Sequence, residues 1–384
     1  MMKSFAKILL EWDKTHYLGA RLANRQRRGA NFEGVNRILC IQMNAIGDAI
    51  MTQPAWAALQ ASNPGSLIDL LCRSHIAPLF KQDPNINDIL AFNPCKYRSW
   101  LFEDGKKLSD IVCGGGYDTI IDFTALPLTA ALCAQKKVPP SLGFSRPMRF
   151  LNRVMDIGRA YDLSFPYSEE ESLRHLMVGL VASQTTTHEY PKSPTLWIGN
   201  EVLERAKGLL SEIGIGDIDF LVIHPGAKWL PKQWPVPCWR SLIRFLTKEL
   251  PNPILLLGGP GDDDLIHAIE TRASARVVKP RIFKEIDTTA AIIKMAALCI
   301  CNDSAPMHIA AAVGTRSIAM FGPVSPTRSA PPPEEGCTVF YRPMFCSPCE
   351  LYYSRNRCRR GLNFCMHAIQ PEEVFAHVVR ILQP

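Results

Sequence analysis

One stretch constrains this chain more than any other. It runs from Cys301 to Pro323 as Cys-Asn-Asp-Ser-Ala-Pro-Met-His-Ile-Ala-Ala-Ala-Val-Gly-Thr-Arg-Ser-Ile-Ala-Met-Phe-Gly-Pro. An apolar run ending at Cys301 reads as a buried strand. Asn302, Asp303 and Ser304 are capping residues, and Pro306 sits where the first turn of a helix accepts proline. Met307 to Val313 then reads as a short helix, Gly314 as its stop and Ser317 to Phe321 as the next strand. A strand thus delivers a helix N-terminus, with free backbone N–H groups, to the carboxyl edge of a parallel sheet. That is a ready anion site, and phosphate is its usual ligand. Asp303 lies beside it. A carboxylate is an awkward neighbour for phosphate, so a hydroxyl-rich group such as a sugar suits it better. An ordinary capped helix in an α/β core accounts for the stretch equally well when it is taken alone.

The chain's 384 residues suggest two domains, and 47% hydrophobic residues are ample for packed cores. The longest apolar run, near Ala290 to Cys301, carries Lys294 and falls short of a membrane span. The start does not read as a signal peptide: Lys7 interrupts its apolar segment, and Glu11, Trp12, Asp13 and Lys14 follow at once. Of the net charge of +7, residues 1–37 hold +5, with eight basic against three acidic side chains. A nucleic-acid binder shows a broader basic face, so no nucleic-acid partner is expected. Thirteen cysteines without a secretion signal point to reduced thiols and a cytoplasmic protein.

Residues 1–36 form a basic extension in which Phe5, Ile8, Leu9 and Trp12 fall at helical spacing. A helix packed on the body is the favoured reading. A weak interfacial helix, making peripheral contact with the inner face of an anionic membrane, is the alternative. Arg37 to Met43 is the first core strand of a domain spanning 37–190. Asn44-Ala45-Ile46-Gly47-Asp48 follows, then a helix from Ala49 to about Ser62, which Pro54 should bend or restart. Asp48 is either an N-cap or a carboxylate able to take a proton from an attacking hydroxyl. Strands at Leu67–Cys72, Ile86–Ala91 and Thr119–Phe123 alternate with helical segments near Ile76, Leu101 and Leu128. The Gly114-Gly115-Gly116 loop lacks the following helix of a dinucleotide fingerprint, so no such cofactor is expected. His175, on a helix from Ser172 to Ser183, reads as a packing or hydrogen-bonded histidine.

Gln184 to Asn200 reads as the linker to a second domain spanning 200–370. After an amphipathic helix, the strand Phe220–Ile223 runs into His224-Pro225-Gly226-Ala227-Lys228 and then Pro231-Lys232-Gln233-Trp234-Pro235. Two lysines on one loop after a strand make a second candidate phosphate clamp, with Trp234 and Pro235 anchoring Lys232. The strand Ile254–Leu257 ends in Gly258-Gly259-Pro260-Gly261 and Asp262 to Asp264. This turn, with Gly259 and Asp262, would suit a nucleoside, an aspartate bonding ribose; helix capping explains those aspartates as well. The segment 346–365 carries Cys346-x-x-Cys349, Cys358 and Cys365 among Arg355, Arg357, Arg359 and Arg360. The spacing fits a small structural zinc knot, or free thiols with the arginines facing solvent or an acidic acceptor. Residues 371–384 form a last helix.

Taken together, Ile46-Gly47-Asp48 after the first strand, His224-Pro225-Gly226 with Lys232-x-Trp234-Pro235, and Asn302-Asp303-Ser304-Ala305-Pro306-Met307-His308 with Phe321-Gly322-Pro323 resemble glycosyltransferase family 9, the bacterial ADP-heptose:lipopolysaccharide heptosyltransferases. The resemblance covers most of residues 37–380. It implies an α/β fold of the glycosyltransferase B type, two Rossmann-like domains facing across a cleft, in which the last helix often crosses back to the first domain. It further implies an inverting transfer without catalytic metal or cofactor, from a nucleotide-sugar donor to a glycolipid or glycan acceptor. Asp48 would then be the general base in an acceptor domain. In the donor domain His224 belongs to a matching motif, Lys232 would hold the diphosphate and Asp303 sugar hydroxyls, and Ser304, Ala305, Pro306, Met307 and His308 would cradle phosphate. Ser304-Ala305 stands where family members often have Thr-Gly, a departure that bears on donor identity. A lysine close by would keep Asp48 ionised and a poorer base, so Asp48 and Lys232 are expected to sit apart.

Overall fold

The computed structural model describes residues 34–93, 103–135, 137–150, 153–185, 191–270, 277–282, 285–349 and 357–383. The basic extension lies almost wholly outside them. The chain divides into two compact units. One comprises residues up to Asn44, Met51–Ala77 and Asp83–Lys192; the other comprises Ala45–Ile50, Pro78–Gln82 and Ser193–Pro384.

The first unit is built on β1 (Arg37–Gln42), β2 (Leu67–Arg73), β3 (Asp88–Phe92), β4 (Thr119–Asp122), β5 (Ser141–Ser145) and β8 (Leu163–Pro166). They form one sheet in the order β3-β2-β1-β4-β5-β8, and every pairing is parallel. A hairpin of β6 (Pro147–Phe150) and β7 (Arg153–Asp156) stands apart from it. The helices are α1 (Ile46–Ser62), α2 (Glu103–Gly114), α3 (Pro127–Cys133) and α4 (Leu173–Ala182). Strand β1 is buried along nearly all its length, as parallel strands covered on both faces must be. Helix α1 runs through Pro54 as one continuous helix, so it does not restart there. His175 is exposed on α4 rather than packed.

The second unit repeats the plan with β9 (Leu221–His224), β10 (Ile254–Gly258), β11 (Val277–Ile282), β12 (Leu298–Asn302), β13 (Ser317–Phe321) and β14 (Cys337–Tyr341). Its sheet order is β11-β10-β9-β12-β13-β14, again parallel throughout. Its helices are α5 (Asn200–Glu212), α6 (Val236–Glu249), α7 (Asp263–Glu270), α8 (Ile286–Met295), α9 (Ala305–Val313) and α10 (Pro371–Leu382). Trp234, Trp239, Leu242, Leu256, Ile300 and Met320 share one core with Val374 and Val378 of α10. The last helix therefore contributes to the second unit's own core.

Each sheet has the doubly wound order in which the winding reverses beside its first strand. Loops leaving the carboxyl ends of the two strands at that reversal form the crevice where such sheets bind ligands. In the second unit those strands are β9 and β12, with His224 in register beside Cys301. The fold thereby brings together the loops after residues 224 and 302, which are far apart in sequence.

Candidate functional site

Asn302 ends β12 fully buried. Its Nδ2 donates to Pro225 O at 2.6 Å, and its Oδ1 accepts from the Trp234 N–H at 3.0 Å. One side chain thus ties the His224–Gly226 turn to the Lys232–Trp234 loop. Gln233 Nε2 adds a bond to Ala227 O at 3.1 Å. From further along the chain, Asn363 Nδ2 donates to Pro231 O and Gln233 O at 3.1 and 3.0 Å, flanking Lys232 on both sides. Trp234 is buried edge-on against Trp239 and donates its indole N–H to Ile369 O at 3.1 Å. So anchored, Lys232 reaches Asp303 with Nζ–Oδ2 of 2.5 Å, while its ammonium lies 4.9 Å from the Trp229 ring centroid.

Helix α9 starts at once after Asp303. The Ser304 side chain does not cap it; its Oγ turns to Asn302 O at 3.3 Å. The Met307 N–H folds back to Ser304 O, and Pro306 has none. The backbone N–H groups of Ser304 and Ala305 are left to meet a ligand, at the positive end of the helix dipole. Gly314 closes α9 with φ of +84°, the left-handed stop read from the sequence.

The segment Ala45–Ile50 belongs by its contacts to this second unit. Gly47 lies so close to His308, on the first turn of α9, that a Cβ there would stand 2.5 Å from the ring's Cδ2. That close approach is why glycine is required at position 47. The loop leading to it is pinned in the first unit. Met43 N–H donates to Thr124 Oγ1 at 2.9 Å, Asn44 Nδ2 to Thr124 O at 3.2 Å, and Arg73 Nε to Met43 O at 2.5 Å.

Asp48 falls in the first turn of α1 and is half-buried. Its Oδ2 accepts the Ala45 N–H at 3.0 Å. Desolvation pushes this carboxyl above the ordinary aspartate value; the Ala45 bond and the charges of Lys232, Lys228 and Arg328 pull it back without cancelling the rise. The charges of Lys232, Lys228 and Arg328 all act on this carboxyl, and desolvation outweighs them. Arg328, on a short helical turn after Phe321-Gly322-Pro323, was not read from the sequence. A lone arginine in a Ser/Thr/Pro-rich loop carries no local signal.

His224 and Asp262 form a second cluster. Burial holds the His224 imidazole below its ordinary value, with the Asp262 charge opposing, so the ring is neutral near pH 7. Asp262 accepts the Gly259 N–H at 2.9 Å and immediately precedes α7. A Cβ on Gly226 would meet its carboxylate at 2.2 Å.

Among the described residues no three His, Cys, Asp or Glu side chains are placed to hold a metal ion. The zinc knot expected at Cys346, Cys349, Cys358 and Cys365 is without support. The thiols are near enough for their charges to act on one another: burial first, then its three neighbours, pushes Cys365 up to about 11. Burial and neighbouring thiols likewise raise Cys349. The segment serves as a brace. Ser347 Oγ donates to Gly322 O, Cys349 N–H to Pro323 O at 2.8 Å, and Met366 and Cys365 crowd the space beside Gly322.

Two doubly wound units, with a carboxylate, a lysine–aspartate pair and an uncapped helix N-terminus gathered in the second, define a glycosyltransferase of the glycosyltransferase B fold. The sequence profile described as Glycosyltransferase family 9 (heptosyltransferase) matches residues 106–358, and the chain belongs to that family. Lipopolysaccharide heptosyltransferase 2 of Escherichia coli (strain K12) is 24% identical over 304 residues, 77% of this chain and 85% of that protein. The crystal structure of a glycosyltransferase family 9 protein from Veillonella parvula DSM 2008 superposes with a TM-score of 0.74 at 19% identity, covering 90% of this chain and 97% of that one. The E. coli ADP-heptose lps heptosyltransferase II gives a TM-score of 0.69 at 19% identity, covering 90% and 98%.

Proposed function

We propose that this enzyme transfers heptose from ADP-heptose to the inner core of lipopolysaccharide, with inversion at the anomeric carbon. The observation that carries the reading is a half-buried carboxylate with a raised pKa, Asp48, sharing a site with cationic groups suited to a diphosphate. The relatives' names supply the sugar and the acceptor class; the site supplies the chemistry.

In this reading the acceptor hydroxyl oxygen attacks C1 of the donor sugar, and Asp48 takes its proton. The C1–O bond to the diphosphate breaks, and ADP leaves with the electron pair. Lys232 and the N–H groups of Ser304 and Ala305 stabilise the charge on the leaving diphosphate, a role that elsewhere falls to a divalent metal. Asp303 orients Lys232 and offers its other oxygen to sugar hydroxyls. His224, Pro306, Met307 and His308 shape the donor pocket, with Gly259 and Asp262 on the neighbouring turn toward the nucleoside. The first unit provides the acceptor side, and the protein works at the inner face of the membrane that carries the acceptor.

A second reading keeps the chemistry and changes the donor. Ser304-Ala305 places a methyl group where relatives often have glycine, which favours a sugar nucleotide of different shape for O-antigen, capsule or protein glycosylation. A third keeps only donor binding. The test is a transfer assay with ADP-heptose and heptose-deficient core lipid, run with and without chelator and with product anomeric configuration read by NMR. Turnover abolished in Asp48→Ala supports the assignment, and normal turnover in that variant removes it. A thermal-shift panel of nucleotide sugars separates the donors, because a ligand of the folded state raises its melting point. Donor binding without transfer to any acceptor would favour the third reading.

A further inference from the structure

Large apolar side chains are exposed at six described positions in this protein, and four of them lie together. They are Leu230 at 55% exposure, Phe345 at 83%, Leu362 at 44% and Phe364 at 49%. The hydrogen bonds fix their neighbourhood. Asn363, between Leu362 and Phe364, donates to Pro231 O beside Leu230. Phe345 is tied to the same place because Ser347 bonds Gly322, against which Cys365 and Met366 are packed. Arg360 stands over the Phe345 ring with Cζ 4.7 Å from its centroid, and Arg357 is also exposed. An aromatic held in water at more than four-fifths exposure, with a guanidinium over its face, is an unusual surface for a protein whose cores hold Trp56, Trp234 and Trp239 fully buried.

We infer that this arginine-bordered apolar patch is a docking surface for an anionic lipid bilayer. Charge selects the occupant. Phosphate headgroups match Arg357 and Arg360, while Phe345 and Phe364 enter the interfacial layer where aromatic rings partition well. A second copy of the chain meeting the patch about a two-fold axis would set these arginines against themselves. Docking here sets the Lys232 loop, through Leu230, next to the lipid surface, and none of it depends on which sugar the enzyme transfers.

The experiment is co-sedimentation of the full chain with vesicles of phosphatidylcholine alone or mixed with phosphatidylglycerol, at about 0.1 M salt. The basic segment 1–33 is then common to every variant. The parent is expected to bind the mixed vesicles and not the neutral ones. Arg357→Gln with Arg360→Gln should weaken binding roughly 25-fold, about fivefold for each charge lost. Phe345→Ser should weaken it about tenfold, and all variants should keep parental activity on a water-soluble acceptor fragment. Parental vesicle binding in the arginine variant, or equal binding of neutral and anionic vesicles, overturns the inference. So does a parent that binds neither vesicle. Self-association seen by sedimentation velocity and abolished by Phe345→Ser, with vesicle binding intact, assigns the patch to a second copy instead. Failure of the donor assay leaves these outcomes unaffected, so the two proposals fall separately.

Discussion

Replacing Asn302 by alanine tests whether the donor loops are held as described. The side chain makes two buried hydrogen bonds, at 2.6 Å to Pro225 O and 3.0 Å from the Trp234 N–H. Each is worth about 1 kcal/mol net, and each partner left buried and unpaired costs about 1–3 kcal/mol. Pro225 and Trp234 are both buried, so water reaches them poorly, and the substitution should cost about 2–5 kcal/mol. Much of that cost falls on the two loops, because Asn302 is their direct link. Lys232 lies two residues from Trp234, and its 2.5 Å approach to Asp303 depends on the same anchorage. A displacement of about 1 Å at such a group costs roughly 100-fold in rate. Donor KM should therefore rise and kcat fall together, with the urea midpoint lowered. Asn302→Asp should be worse for donor affinity. It keeps an acceptor for Trp234, sets a second acceptor against Pro225 O and adds a negative charge beside Asp303. Steady-state kinetics with varied donor and urea unfolding of the free protein check both variants. An Asn302→Ala protein with donor KM within twofold of the parent and an unchanged midpoint refutes the reasoning.

Two further substitutions follow from the site. Asp48→Asn should lower kcat by about 10²–10⁴, the usual worth of a general base, while the donor-induced thermal shift persists. The same variant should be more stable than the parent at neutral pH. A carboxyl whose folded pKa is raised holds its proton more tightly in the folded state, so stability falls as pH rises from the unfolded value, near 3.9, through the folded one. Asparagine removes that loss and can still accept from Ala45 N–H; urea unfolding at pH 7 reads the sign. Gly47→Ala should cost about 1–3 kcal/mol of overpacking and roughly 100-fold in kcat, since its Cβ would stand 2.5 Å from His308 Cδ2 and 2.9 Å from Nε2. Kinetics beside an unfolding curve separate the two losses.

Much of the second unit was legible in the sequence because its signals are local. The strand, helix and left-handed stop between Leu298 and Phe321 follow one another directly along the chain, and their boundaries fell within a residue or two of those observed. The hairpin at 147–156 and strand β8 gave no such signal, being only four residues each. Asn302 was visible only as a cap. Its role as a strut depends on Pro225 and Trp234, 77 and 68 residues away, and no local pattern encodes that pairing. Asn363 was hidden for the same reason inside a segment whose cysteines drew attention to metal. The separation expected between Asp48 and Lys232 rested on a pairwise argument, lysine against carboxylate. The structure adds desolvation, which a sequence does not display.

The electrostatics of Asp48 suggest how the site would time its own chemistry. Without donor, Lys232, Lys228 and Arg328 all lower its pKa, and desolvation alone raises it. These cations are the groups that a diphosphate would occupy. Donor binding brings negative charge to them and cancels part of their pull on Asp48, while closing more of the carboxylate off from water. Both changes raise the pKa further, so the base strengthens when a leaving group is in place. The pH profile of kcat/KM reports the free enzyme, and that of kcat the bound complex. The acid limb of kcat should therefore lie at higher pH than that of kcat/KM. Lys232→Met should move the kcat/KM limb upward, because it removes the largest cationic influence, and should narrow the gap between the two limbs. Coincident limbs in the parent, or a kcat/KM limb unmoved by Lys232→Met, would mean that the carboxylate followed by the profile is not the one beside these cations.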